Sequence, residues 1–162
     1  MTGALNAKAR RAVLQIAEWQ EGVVEMPSNS NKVKYNTAYY GREVSGRAYP
    51  WCMTFVWWVF REAGFSLYKT ASCTAFVNRY RVYAPKQIVT GDFRPGDIVF
   101  FDFSGGRKKT EHTGIVVEVN GSTVTTMEGN TGTGNDANGG AVMRRTRNTK
   151  YITVGVRPGY PD

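Results

Sequence analysis

The chain has 162 residues, 41% of them hydrophobic and 21% charged, with no apolar run near the roughly 20 residues that cross a bilayer as a helix. That length fits one core, so residues 1–162 are expected to form a single domain. A net charge of +8 favours polyanions, yet the cations are scattered and no zinc-finger, homeodomain or RNP-type pattern accompanies them, which argues against a nucleic-acid binder.

Residues 5–21 predict an amphipathic helix, with Leu5, Ala9, Ala12, Val13, Ile16 and Ala17 at helical spacing and Gly22 as its stop. The first eleven residues hold no apolar core of the signal-peptide type, so a target outside the cell would need another delivery route. Residues 23–50 show no sustained period, and Pro27, Gly41 and Gly46 mark loops. Tyr35, Tyr39 and Tyr49 fall in this polar stretch, either lining a groove or lying as lids over the core. Residues 51–63 give the clearest helix, with Pro50 suited to its first turn and Gly64 to its end. A further helix is expected over Cys73–Tyr83, with Phe76, Val77 and Tyr80 inward.

The period then changes. After the turn Phe93-Arg94-Pro95-Gly96-Asp97 comes the apolar run Ile98-Val99-Phe100-Phe101. Residues 112–119 and 123–129 read as strands around Asn120-Gly121, a strong hairpin signal. Gly129–Gly140 reads as a loop, and Val142–Arg145 and Tyr151–Val156 as weaker strands. Helices first and strands after is the α+β pattern.

Two cysteines and one histidine fall short of the four ligands of a structural zinc site, and no metal is expected. They do suffice for a nucleophile and its base. Cys52 lies in the first turn of its predicted helix, where unpaired N–H groups stabilise a thiolate and can hold an oxyanion. The plainer alternative is a buried core cysteine on the helix's apolar face. Cys73, also near a helix start but without a Pro-led turn, is the rival nucleophile. A Cys52–Cys73 disulfide stays open, without support from a dense cysteine framework.

His112 opens its strand, followed at once by Thr113 and Gly114. A base needs an orienting partner, and the returning strand ends in Met127-Glu128-Gly129-Asn130. A two-residue Asn120-Gly121 loop would put Glu128 and Asn130 on the face opposite His112. A three-residue Asn120-Gly121-Ser122 loop would pair Ile115 with Met127 and put both on its face, with Gly121 left-handed. Function therefore predicts the three-residue loop, although a bulge further along would restore the same facing.

Four blocks carry a resemblance. Tyr49-Pro50-Trp51-Cys52-Met53-Thr54-Phe55-Val56, Arg94-Pro95-Gly96-Asp97-Ile98-Val99-Phe100-Phe101, His112-Thr113-Gly114-Ile115-Val116 and Glu128-Gly129-Asn130 resemble the CHAP family of cysteine, histidine-dependent amidohydrolases/peptidases, within the papain-like superfamily. Each block is weak alone; four in this order, from about residue 10 to 157, are specific. The resemblance implies a papain-like α+β fold, with helices packed on an antiparallel sheet. It implies Cys52 as nucleophile, His112 as base, Glu128 as the residue that orients His112, and Asn130 as a supporting polar residue. Calcium-loop members cluster Asp around the cysteine; here residues 29–49 contain none, so no calcium and no other cofactor is expected.

The expected activity is hydrolysis of a peptidoglycan amide, either the N-acetylmuramoyl-L-alanine bond or a stem or cross-bridge peptide bond, as in phage endolysins and bacterial autolysins. The expected partners are peptidoglycan and anionic wall polymers, met at the cell wall by a monomer with no membrane span. Trp51, Tyr35, Tyr39 and Tyr49 are the expected substrate-binding residues. The competing readings are a non-catalytic wall-binding module on this fold and an amidase acting on a non-wall amide.

Overall fold

Apolar residues at helical spacing make α1 (Thr2–Trp19), with Val13 and Ala17 fully buried and left-handed Gly22 just beyond its end. The computed structural model describes residues 2–160, and side chains from residue 7; Leu5 of the predicted apolar face lies outside the described side chains.

One helix falls where loops are expected: α2 (Lys34–Tyr40). Seven residues are too few for a helix to be stable alone, and no local period announces it. Tertiary bonds hold it instead. The buried Asn36 amide donates to Asn31 O (3.0 Å) and Tyr49 O (2.9 Å) and accepts from Thr54 Oγ1 (2.7 Å).

α3 (Cys52–Glu62) is buried over most of its length. It begins one residue later than predicted, with Trp51 as its N-cap, so Pro50 precedes the helix rather than sitting in its first turn. α4 (Cys73–Tyr83) matches its predicted bounds, and Ser72 Oγ caps it by accepting from Ala75 N at 3.1 Å.

Six antiparallel strands, β1 (Ile88–Val89), β2 (Ile98–Phe101), β3 (His112–Asn120), β4 (Thr123–Thr131), β5 (Ala141–Asn148) and β6 (Ile152–Val156), form one sheet in the order β1-β6-β2-β3-β4-β5. β2 is buried on both faces, which explains its unbroken apolar run. Ile98 and Phe100 join the core beneath the helices, while Val99 and Phe101 join a smaller cluster with Val116, Val124 and Ile152.

The hairpin corrects the expected loop. Asn120 pairs with Thr123, so only Gly121 and Ser122 connect the strands, with Gly121 left-handed at φ 62°. A register shift between Val116 and Glu118 then adds one residue to β3, and Ile115 pairs with Met127. The bulge, not loop length, sets the register at the site. The expected 129–140 loop is also shorter, because β4 runs on to Thr131.

Candidate active site

Cys52 is the first residue of α3 and lies 7% exposed at its N-terminus. Its Sγ is 3.8 Å from Sγ of Cys73, the first residue of α4, and both thiols are free. Two helix N-termini thus converge on one pair of sulfurs. Only one thiol ionises at such a separation, and the surroundings select Cys52. The hydrogen bond from Cys73 lowers the Cys52 pKa most; burial opposes this, and the His112 imidazolium and the Met53 N–H add to the lowering. Cys73 is pushed well above the ordinary thiol range by that hydrogen bond, by its own burial and by the neighbouring charge.

His112 is fully buried at the start of β3, beside the stacked rings of Phe101 (centroids 6.0 Å away) and Phe103 (5.9 Å). Its Nε2 lies 2.8 Å from Glu128 Oε1. Its Nδ1 is the one buried side-chain nitrogen or oxygen, among the described residues, with no hydrogen-bond partner. A buried ring nitrogen without a partner is costly unless it serves a reacting group. Burial alone would lower the His112 pKa, but interaction with the Cys52 sulfur and the Glu128 carboxylate outweighs it and raises the value to about 9.

Glu128 is also fully buried. Burial pushes its carboxyl up, but Arg147, donating from Nε to Oε2 (2.9 Å) and from Nη2 to Oε1 (2.6 Å), together with His112, brings it down to about 2. Thr126 Oγ1 donates to Oε2 at 2.5 Å. Arg147 in turn donates to Asp136 Oδ1 (2.8 Å), as does Arg145 (2.7 Å), and its guanidinium lies 4.9 Å from the Phe103 ring centroid. A line of alternating charge thus runs from Cys52 through His112, Glu128 and Arg147 to Asp136.

Sequence reasoning missed Arg147, Asp136 and Thr126. Arg147 falls there among the scattered cations. The one available signal is the alternation of β5, which places Arg145 and Arg147 on a single face, and nothing in the sequence shows that Glu128 lies beneath them.

The other predicted residues divide. Asn130 is buried, but its side chain hydrogen-bonds to neither His112 nor Glu128. A register shift between Glu128 and Thr131, with Asn130 left-handed at φ 57°, turns it toward the 132–140 loop. There it accepts from Gly140 N and donates to Asn138 Oδ1, both at 3.2 Å. Tyr35 and Trp51 are fully buried and stacked at 5.6 Å, so they lie in the core instead of lining a groove. Trp51 Nε1 donates to Glu25 (3.0 Å) and Tyr35 Oη to Gln20 (2.9 Å), satisfying their polar tips internally. Tyr39 and Tyr49 remain partly exposed, and each packs edge-on against Tyr40.

A cavity of about 730 Å³ lies by Gly121 and Lys150, at the far end of β3 from His112. A second, of about 450 Å³, is lined by Asn29, Asn31, Arg47, Pro50, Ala137 and Asn138; Pro50 is two residues before Cys52, and neither cavity is lined by Cys52 or His112.

Gly114 shows how tightly the carboxylate is set. A Cβ there would stand 2.7 Å from Glu128 Cγ and 3.2 Å from Met127 O. Gly114→Ala is expected to displace Glu128 and to destabilise the fold by about 1–3 kcal/mol. Denaturant unfolding checks this; a midpoint equal to wild type would show that the carboxylate moves freely.

Fold and site together define an α+β protein with a cysteine and a histidine buried where helices meet the sheet. A family model described as CHAP domain matches residues 44–130, and the chain belongs to the CHAP domain family. Among solved structures, "The crystal structure of Ly7917" aligns with a TM-score of 0.54 at 17% identity, covering 92% of this chain and 62% of that one. "The crystal structure of Ly7917 with the hydrolyzing product of MDP" aligns at 0.49 and 16% with the same coverage. The first likeness shows the shared fold, and the present chain spans 62% of that neighbour's length. No curated protein matches the sequence.

Proposed function

We propose that this domain is a cysteine hydrolase that cleaves an amide bond of peptidoglycan, either the sugar–peptide amide or a peptide bond of the stem or cross-bridge. The observation that carries the reading is the unpartnered Nδ1 of His112, beside a thiol at a helix N-terminus, in an imidazole whose other nitrogen is fixed by an Arg-bound carboxylate. CHAP family membership supports the same chemistry.

The Cys52 thiolate attacks the amide carbonyl carbon. Backbone N–H groups at the start of α3 hold the oxyanion, with that of Cys52 best placed. The His112 imidazolium gives its proton to the leaving amine, and a thioester remains. His112, now neutral, takes a proton from water as the water oxygen attacks the thioester. The acid leaves and the thiolate–imidazolium pair is restored. Glu128 keeps the imidazole oriented and favours its charged form. The 450 Å³ cavity beside Pro50 is the proposed substrate approach, with Tyr39 and Tyr49 as candidate contacts and the basic surface holding the domain on anionic wall polymers. We place its action at the cell wall, as a lytic domain of the endolysin or autolysin type.

Digestion of purified Gram-positive walls, with mass spectrometry of the soluble fragments, tests the reading. New amino and carboxyl termini are expected and would name the bond; intact walls across several cross-bridge chemistries would overturn it. The rate should also fall as pH rises through about 9, where His112 loses the proton needed by the leaving amine. On the acid side it should fall only well below the usual thiol range, where Cys52 becomes protonated. A rate that keeps rising above pH 9 would contradict the assignment of His112.

A further inference from the structure

Cys73 has no step in the proposed hydrolysis, yet it is the nearest sulfur to the nucleophile. Its Sγ stands 3.8 Å from that of Cys52, each side chain is the first residue of a helix, and each residue is 7–8% exposed. A buried thiol held against a thiolate has two consequences. As a donor it stabilises the anion. As a second sulfur 3.8 Å away it is placed to capture an oxidised form of the first, the two side chains having to close to the roughly 2.0 Å of a disulfide.

We propose that Cys52 and Cys73 form an oxidative modification site, in which Cys73 is the resolving thiol for Cys52 and peroxide is the oxidant class. The Cys52 thiolate attacks one oxygen of hydrogen peroxide; the O–O bond breaks, hydroxide leaves and takes up a proton, and Cys52 becomes a sulfenic acid. Cys73 sulfur then attacks the Cys52 sulfur. The S–O bond breaks, water leaves with the Cys73 proton, and a disulfide remains. Overall, two thiols lose two electrons and two protons, and one peroxide becomes two waters. A dithiol reductant reverses the bond by exchange.

The geometry favours this course over progressive oxidation. Cys52 is ionised and therefore reacts first, while Cys73 stays protonated in waiting. Both residues are more than nine-tenths buried, which favours a small oxidant such as peroxide over a bulky thiol and so an internal disulfide over a mixed one. Because a disulfide consumes the proposed nucleophile, its formation switches off the hydrolysis proposed above and reduction restores it. The chemistry itself does not depend on that reading.

Intact-mass spectrometry of the full chain, treated with a several-fold molar excess of hydrogen peroxide, is the test. Wild type should lose about 2 Da and recover it with dithiothreitol, and a non-reducing digest should link the Cys52 and Cys73 peptides. Cys73→Ala and Cys73→Ser, both confirmed folded by circular dichroism, should instead gain about 32 or 48 Da at Cys52 without recovery. Accumulation of those oxygen adducts in wild type, as fast as in the Cys73 variants and with no linked peptide, would overturn the proposal. If the linked peptide forms in a chain that clears no walls, the modification site stands and the hydrolase reading fails.

Discussion

Cys52→Ala should lower the rate of wall hydrolysis by at least about a thousandfold, because without the sulfur no thioester forms and what remains is binding and the oxyanion amides. The fold should survive, since the substitution removes one sulfur at a helix start and leaves Trp51, Thr54 and Asn36 in their bonds. Retention on walls should survive as well. Turbidity loss of purified walls measures the first effect, and a pull-down on the same walls the second. An alanine variant that still releases wild-type fragments at the wild-type rate would remove Cys52 from the chemistry. The companion variant Cys73→Ala separates the two thiols: it keeps the nucleophile and loses only a donor to it, so iodoacetamide should alkylate Cys52 more slowly at acid pH than in wild type.

Arg147→Met is the second large effect, and it acts first on stability. Glu128 is fully buried, and Arg147 supplies two of its hydrogen bonds. Removing one partner of a buried pair strands the other charge and costs about 3–5 kcal/mol. For a chain of this length that lowers the midpoint of thermal unfolding by roughly 6–20 °C. The sign with pH follows from the carboxyl. Its folded pKa of about 2 lies below its ordinary 4.5, so its contribution to stability is complete above 4.5 and lost as pH falls through about 2. Without Arg147 the carboxyl titrates higher, and acid unfolding should begin at a higher pH. Hydrolysis should fall too, because a carboxyl that has lost two hydrogen bonds orients the imidazole less firmly. Adding Glu128→Gln to Arg147→Met should recover stability, since no charge is left stranded, without recovering activity. A single variant equal to wild type in both melting and rate would show that Glu128 needs no counter-charge.

The four blocks around Cys52, Pro95, His112 and Glu128 made the α+β class and the family legible, because each carries its own chemistry or its own turn. α3 and α4 were legible for a similar reason: apolar spacing over eleven residues is a local property. So was the strand β2, buried on both faces. The short helix α2 was not legible, since its stability comes from Asn36 reaching the distant Tyr49 and Thr54 as well as nearby Asn31.

The hairpin divides the two kinds of information well. That it exists, and that Gly121 is left-handed, follows from a few residues. Which face Glu128 takes depends on a bulge between Val116 and Glu118, and pairing energy across the sheet decides that. The tertiary structure alone decided that Tyr35 and Trp51 are core side chains, because burial depends on what α1, Glu25 and α3 place over them. It alone turned Asn130 to the loop, through a left-handed residue at a register shift. It alone set Arg147 on Glu128 and Cys73 on Cys52, pairs separated by 19 and 21 residues. The sequence by itself singled out Cys52, His112 and Glu128 as the candidate reactive groups, because thiol, imidazole and carboxylate are properties of single residues. Which groups tune them was left to the fold, because a pKa is set by the atoms nearby in space, and those come from elsewhere in the chain.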